Sequence, residues 1–193
     1  MSYLFGCYAR FYDRFMRVWR LDDLEPVLAC VAGRPPMLAA DIGGGTGRLA
    51  QALCQRGHQV TIVDPCRPMT RIAKRREPRL AVIDLPLAEL TAPEGFDCVI
   101  LRDCLHHLPD QQAAVAKCAA LLRPEGVLII QDFVPESTAA RRIFAFERFC
   151  WERVQPISPE RLQRLCQEAG LGAEYRLLNE RDYILEARKV GKL

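Results

Sequence analysis

Asp41-Ile42-Gly43-Gly44-Gly45-Thr46-Gly47 sets glycines at 43, 45 and 47 between an apolar run, residues 37–40, and an amphipathic segment, residues 46–56. That order reads as a strand, a tight turn and a helix start, where backbone approaches a ligand closely and glycine avoids the clash of a Cβ. A dinucleotide fingerprint wants its third glycine at position 48, which is Arg48. An acidic residue followed by G-x-G-x-G instead favours a nucleoside carrying an amino acid over one carrying a pyrophosphate. Asp41 points the same way, because a carboxylate opening the loop repels phosphate and attracts an ammonium group.

Outward from the loop, strands alternate with helices, the pattern of a parallel sheet covered on both faces. Strands are expected at residues 37–42, 59–63, 80–83, 96–101 and 127–131, all rich in Val, Ile and Leu with little polar alternation. Helices are expected at 47–56, 68–76 and 109–122, the last with Pro109 in its first turn. The link over residues 85–95 is proline-broken and leaves room for a turn or two of helix. Residues 137–154 read as a helix carrying Phe144, Phe146, Phe149 and Trp151, and Ser158-Pro159 starts another that stops at Gly170. Two late strands, residues 173–178 and 183–188, should pair as a hairpin.

At 193 residues the chain has the length of one domain with a full core. We divide it into an N-terminal helical cover (1–36), a cofactor-binding core (37–132), a short cap helix (133–157) and a C-terminal helix with hairpin (158–193). The hydrophobic content of 50% and charged content of 26% are ordinary for a globular protein, and a net charge of +3 is too weak to argue for nucleic acid. No apolar run approaches the ~18 residues of a membrane span. Residues 1–20 alternate aromatic and charged side chains, unlike a signal peptide. Nine cysteines lack any C-x-x-C spacing and fall inside apolar segments, so they read as small buried hydrophobes in a reducing cytoplasm.

A nucleoside in such a sheet lies beyond the carboxyl ends of the strands. Asp64 closes the second strand, where a carboxylate accepts both ribose hydroxyls; a helix-capping role before Pro65 competes with that reading. Asp84 ends the third strand, placed for an exocyclic adenine amine with the Leu85 N–H beside it, and Met69 for the purine face. The fourth strand delivers Arg102-Asp103-Cys104-Leu105-His106-His107 to the same edge. Imidazole titrates near neutrality, so His106 is the first candidate for a general base, Asp103 the second, and His107 a lesser one.

These residues resemble a known family. Asp41 to Gly47, Val63-Asp64, Asp84-Leu85-Pro86, Phe96-Asp97-Cys98-Val99 with His106-His107-Leu108, and Leu122-Arg123-Pro124-Glu125-Gly126 are similar to the ordered motifs of class I S-adenosylmethionine-dependent methyltransferases. Within these, the chain is similar to the small-molecule branch that includes the ubiquinone and menaquinone biosynthesis enzymes, over roughly residues 8 to 190. The resemblance implies a Rossmann-like α/β fold, a mostly parallel seven-stranded sheet with an antiparallel last strand. It implies S-adenosyl-L-methionine as donor and S-adenosyl-L-homocysteine as product, with Asp41, Gly43, Gly45 and Gly47 at the methionine portion, Asp64 at the ribose, and Asp84 with Leu85 at the adenine. Phe11-Tyr12-Asp13 resembles a helix covering the cofactor, with Tyr12 or Tyr8 offered to the sulfonium or carboxylate. Arg102 joins the cofactor set, though Arg102-Asp103 is an unusually charged pair for the branch.

The expected partner is a small apolar or aromatic acceptor, closed in by Phe146, Phe149 and Trp151; the oligomeric state, monomer or homodimer, is open. Three other readings stand beside it. One is a donor-binding subunit without turnover. Another is action on a metalloid through Cys104, Cys150 and Cys7. The last is action on RNA through the basic stretch at 71–79.

Overall fold

The apolar runs do form strands, and their neighbours in sequence pack over them as helices. The computed structural model describes residue 9, residues 11–150 and residues 152–189. One sheet contains β1 Leu38–Ile42, β2 Gln59–Val63, β3 Ala81–Ile83, β4 Phe96–Arg102, β5 Leu122–Phe133, β6 Leu171–Leu177 and β7 Asp182–Lys189. Its spatial order is β3-β2-β1-β4-β5-β7-β6. Strands β1 to β5 pair in parallel, and β7 inserts between β5 and β6, antiparallel to both. The expected hairpin and the antiparallel last strand are therefore present. Strand order reverses at β1 and β4, the place where a crevice opens beyond the carboxyl ends of the strands.

Seven helices are described: α1 Tyr12–Val18, α2 Glu25–Val31, α3 Arg48–Gln55, α4 Arg67–Arg76, α5 Gln111–Leu121, α6 Thr138–Phe149 and α7 Pro159–Glu168. Alternation along the strands divides the core. Val99 and Leu101 of β4 face α5 and α7, whereas Cys98 and Ile100 face α2 and α3. A third, smaller cluster joins Met16 of α1 and Ala140, Ile143 and Phe144 of α6 to Phe133 at the tip of β5. That cluster docks a two-helix cap on the carboxyl edge of the sheet.

The structure moves several expected boundaries, each for a tertiary reason. β5 starts at Leu122, paired with Phe96, and resumes pairing at Val127 opposite Cys98, so residues 123–126 bulge out of the ladder. Arg123 holds the bulge by donating to the Glu94 carbonyl (2.9 Å) and to Asp97 Oδ1 (3.0 Å). Helix α5 begins after Pro109, because the Asp110 carboxylate caps it from outside, accepting from Ala113 N at 2.9 Å. Helix α6 stops at Phe149 rather than 154. The chain beyond it is pulled extended across the β4–α5 connection, where Gln155 N donates to the His106 carbonyl (2.7 Å) and the Gln155 carbonyl accepts from Gln111 Nε2 (2.6 Å).

Gly47 fixes how α3 meets the sheet. It caps the helix with φ of 75°, and a Cβ there would sit 2.7 Å from Ala73 Cβ and 3.2 Å from Ile62 Cδ1. Gly57 has an equally left-handed φ of +91°, but a Cβ there meets nothing within 4 Å. Gly47→Ala is therefore expected to lose about 1–3 kcal/mol from backbone strain plus overpacking, and Gly57→Ala distinctly less, in paired urea unfolding curves.

Candidate functional site

The glycine loop is held from β2. Asp64, buried at the end of that strand, accepts from Gly45 N (3.0 Å) with one carboxylate oxygen and from Cys66 N (2.7 Å) with the other. It thus caps the turn into α4, the competing role weighed from sequence, and also shapes the loop. Burial raises its pKa, and the two N–H donors oppose that. Gly45 has φ of +54°, and a Cβ there would meet only Gly43 O, at 3.8 Å. A side chain at 45 would therefore enter the crevice.

Two cavities lie side by side beneath the cap. The first, about 540 Å³, is walled by Gly43, Gly45, Asp64, Met69, Leu87 and Cys104 among others. The second, about 470 Å³ and predominantly apolar, lies under α1 and α6 against Phe15, Trp19, Phe133, Phe146 and Phe149. Tyr12, Asp103, His107 and Glu152 line both. A recess of about 40 Å³ continues behind the loop and is lined by Tyr12, Asp41, Gly44, Arg48 and Arg102. Asp41 Oδ2 and Arg102 Nε are both buried there without a hydrogen-bond partner. Burial pushes the Asp41 carboxyl up to about 7, with Arg102 opposing the rise and Asp64 adding to it.

Asp103 stands where the cavities meet, in a left-handed backbone conformation (φ 50°) that a non-glycine residue adopts at a cost. Its Oδ2 lies 3.3 Å from Arg102 Nη2 and is otherwise without a hydrogen bond. Burial raises its pKa to about 6, against the pull of Arg102. Arg102 itself is pinned by donating to the Leu21 and Asp23 carbonyls. Burial, then the negative Asp103, pushes the Tyr12 phenol well above its ordinary pKa.

The two histidines have different surroundings. His106 is 1% exposed and lines neither cavity. Its Nδ1 is 2.6 Å from Asp132 Oδ1, and its Nε2 is 3.6 Å from Glu147 Oε2. Burial alone would lower its pKa, but Asp132 and Glu147 outweigh it and raise it to about 10, so the ring is an imidazolium at neutral pH. His107 stacks on it with ring centroids 4.1 Å apart. Burial and the charge on His106 lower the pKa of His107, and its Nδ1 lies 3.0 Å from the Arg153 carbonyl. A carbonyl only accepts, so this contact places the proton of the neutral ring on Nδ1. Among the described residues, His106, His107 and Glu147 form a group of the kind that holds a cation, with ligand atoms all within 4.8 Å. Protonated His106 already supplies a positive charge to it.

Several expectations need correction. His106, the first candidate for a base, is a buried cation behind the site instead. Asp84 and Leu85 stand outside the cavity lining, where Pro86 and Leu87 take their place. Asp84 is drawn aside by Thr70 Oγ1 (2.7 Å) and Arg67 (3.8 Å). Gly47 serves helix packing, and among the described residues no cysteine joins a group of three ligating side chains. Cys104 and Cys150 line different cavities, while Cys7, Tyr8 and Trp151 lie outside the described residues. Much of the basic stretch is engaged internally: Lys74 with the Pro78 and Leu80 carbonyls, Arg76 with Thr46, and Arg79 with Glu77. Sequence reading missed Glu147, Glu152 and Asp132. Glu147 did leave a trace, since it falls on the α6 face of buried Ile143 and Phe144, where a solvated acid is out of place.

Helix α1 is latched over the loop by Asp13, which accepts from Thr46 Oγ1 (2.7 Å) and pairs with Arg76, itself donating to the Thr46 carbonyl (2.9 Å). These partners hold the Asp13 carboxyl below its usual range although burial acts the other way.

Comparison with known proteins bears on the family and the fold. Residues 8–174 match the family model described as a methyltransferase domain. A ubiquinone biosynthesis O-methyltransferase of Xylella fastidiosa is 34% identical over 138 residues, covering 65% of this chain and 53% of that protein. The chain spans between about half and two thirds of the length of the first curated relatives it matches. Among solved structures, a Thermotoga maritima S-adenosylmethionine-dependent methyltransferase, described as a possible histamine N-methyltransferase, superposes with a TM-score of 0.79 at 21% identity, covering 98% of this chain and 100% of the other. The 1,6-didemethyltoxoflavin-N1-methyltransferase of Burkholderia thailandensis, crystallised with that compound and S-adenosylhomocysteine, gives 0.73 at 24% identity over 97% and 88% of the two chains.

Removing the latch tests how the cover is held. Asp13→Ala is expected to cost about 1–2 kcal/mol, through a lost charge-assisted pair, and to speed tryptic cleavage at Arg14 and Arg17, read as fragment release at native temperature.

Proposed function

The chain belongs to the methyltransferase-domain family, and from that premise we propose that it moves a methyl group from S-adenosyl-L-methionine to a small apolar or aromatic acceptor. The observation that carries this reading is the recess behind the glycine loop. An unpartnered carboxylate oxygen and an unpartnered guanidinium N–H, on Asp41 and Arg102, line one small space. An amino-acid tail brings an ammonium and a carboxylate of its own and satisfies both, whereas a pyrophosphate would face Asp41 with like charge.

The larger cavity fits the rest of the donor. The second lone pairs on the Asp64 oxygens accept from ribose hydroxyls, Met69 and Leu87 wall the base, and Gly45 leaves the space open. Tyr12 closes the junction from above. When bound, the donor supplies a methyl group activated by its positive sulfur and leaves as S-adenosyl-L-homocysteine. The aromatic cavity holds the acceptor, excludes water from it and aligns it across Asp103 and His107, which face both spaces. Asp103, ionised at neutral pH, takes the proton from an acceptor hydroxyl, amine or acidic carbon. Neutral His107 orients the same group, and the buried Asp132–His106–Glu147 set holds His107 in place.

Calorimetry with S-adenosylmethionine and S-adenosylhomocysteine is expected to show binding of both, and absence of heat with either would sink the reading. Because Asp41 must be ionised to pair an ammonium, affinity should rise as pH climbs through about 7, and Asp41→Asn should flatten that dependence. Product formation with a panel of phenols, quinols and amines separates an enzyme from a donor-binding subunit. On a turned-over acceptor, Asp103→Asn should retain donor affinity and lose about 10²–10⁴ in kcat. Wild-type turnover should fall as pH drops through about 6, where Asp103 takes up its proton.

A further inference from the structure

Only six large hydrophobic side chains stand exposed among the described residues, and four of them, Phe11, Val18, Phe146 and Phe149, rim the aromatic cavity. Phe149 is 81% exposed, Val18 70% and Phe11 62%. Exposed apolar groups scattered singly need no explanation, but a cluster around one opening does.

Asp103, Glu147 and Glu152 line the cavity itself, but the outer charge of the two helices that carry its rim is one-sided. Helices α1 and α6 carry five arginines, Arg14, Arg17, Arg141, Arg142 and Arg148, all exposed, against two acids. Both acids turn inward: Asp13 to Thr46 and Arg76, Glu147 to the two histidines. These two helices account for the whole net charge of +3, and the rest of the chain is neutral. At 100° per residue, Arg141, Arg142, Arg148 and Phe149 share one face of α6, opposite buried Ile143, Phe144 and Glu147; Arg14, Arg17 and Val18 share one face of α1. The helices are joined edge to edge, Phe146 stacking on Phe15 at 5.3 Å and meeting Trp19 at 5.7 Å. No helix of the described residues is long and apolar enough to cross a membrane.

From this juxtaposition we propose that α1 and α6 form a peripheral docking face for an anionic phospholipid bilayer. The aromatic and aliphatic tips enter the headgroup boundary and the arginines pair with lipid phosphates. Arginine around exposed Phe on two short helices has the composition of an interfacial element, in which apolar burial and electrostatic attraction act together. An acidic protein would also attract the arginines but gives no role to four apolar tips. A second copy would set five arginines against five. Docked in this way, the mouth of the 470 Å³ cavity opens onto the bilayer, and an apolar compound reaches it without crossing water.

The test is co-sedimentation of the full chain with vesicles of phosphatidylcholine alone and of phosphatidylcholine mixed with phosphatidylglycerol, at low and high salt. It needs neither methyl donor nor acceptor, so it stands or falls independently of the transferase reading. Binding is expected only to the anionic vesicles and should fall steeply with salt. The double variant Arg141→Glu with Arg142→Glu, and separately Phe149→Asp, should each weaken it by about tenfold or more. Both change exposed positions, and circular dichroism and Tm are expected to match wild type. Equal binding to neutral vesicles, no binding at all, or binding unaffected by either variant at unchanged Tm would overturn the proposal. So would sedimentation velocity showing a dimer that Phe149→Asp dissolves while vesicle binding persists.

Discussion

Four carboxylates are buried at the carboxyl ends of four adjacent strands, and compensating them is the constraint that orders the site. Asp41, Asp64 and Asp132 are each under 5% exposed, and the Asp103 side chain is 9% exposed. A buried charge left alone is costly, so each needs a partner. Asp64 has two backbone N–H groups, Asp132 has an imidazolium, and Asp103 has Arg102. Asp41 is the least satisfied, with one oxygen unpartnered and a pKa raised to about 7. A cationic ligand group is most stabilised at that place, and the compensation pattern marks it.

The same economy shapes the loop. The hydrogen bond that makes Asp64 tolerable in the core is the one that fixes Gly45 N, so this carboxylate and the glycine turn form one unit. The cap is a second unit, built on its own small apolar cluster at the end of β5 and fastened through Asp13 to Thr46 and Arg76. The latch reaches the loop and the apolar cluster reaches β5, so the cap spans both cavities and presents Tyr12 at their junction. The buried Asp132–His106–Glu147 set adds a further tie, from β5 through the β4–α5 connection to α6. It explains why two adjacent histidines have opposite protonation: the first is held charged by two carboxylates, and its charge helps keep the second neutral.

Much of this was legible in the residues. The glycine loop, the parallel strands and the antiparallel hairpin follow from apolar periodicity and turn chemistry, which act over a few residues. That Asp41, Asp64 and Met69 line the crevice was legible because each sits at a fixed offset from a strand end or turn. The failures share a cause. His106 and His107 differ by one position and look alike in sequence, yet their environments come from Asp132, 26 residues on, and Glu147, about 40 residues on. Asp84 read as a ligand contact, whereas the structure engages it with Thr70 and Arg67 outside the cavity lining. The α6 boundary moved because its exit is tied to a loop more than 40 residues back.

The sequence by itself determined the layered α/β architecture, the place of the crevice at the carboxyl edge of the sheet and the identity of the acids beside it, because period, glycine spacing and strand-end position are local properties of the chain. Only the tertiary structure decided which acid is compensated and by what, which histidine faces the cavities, and that the aromatic and basic residues of two distant helices gather around one opening. Charge compensation and side-chain burial depend on neighbours in space, and neighbours in space are set only when the chain has closed on itself.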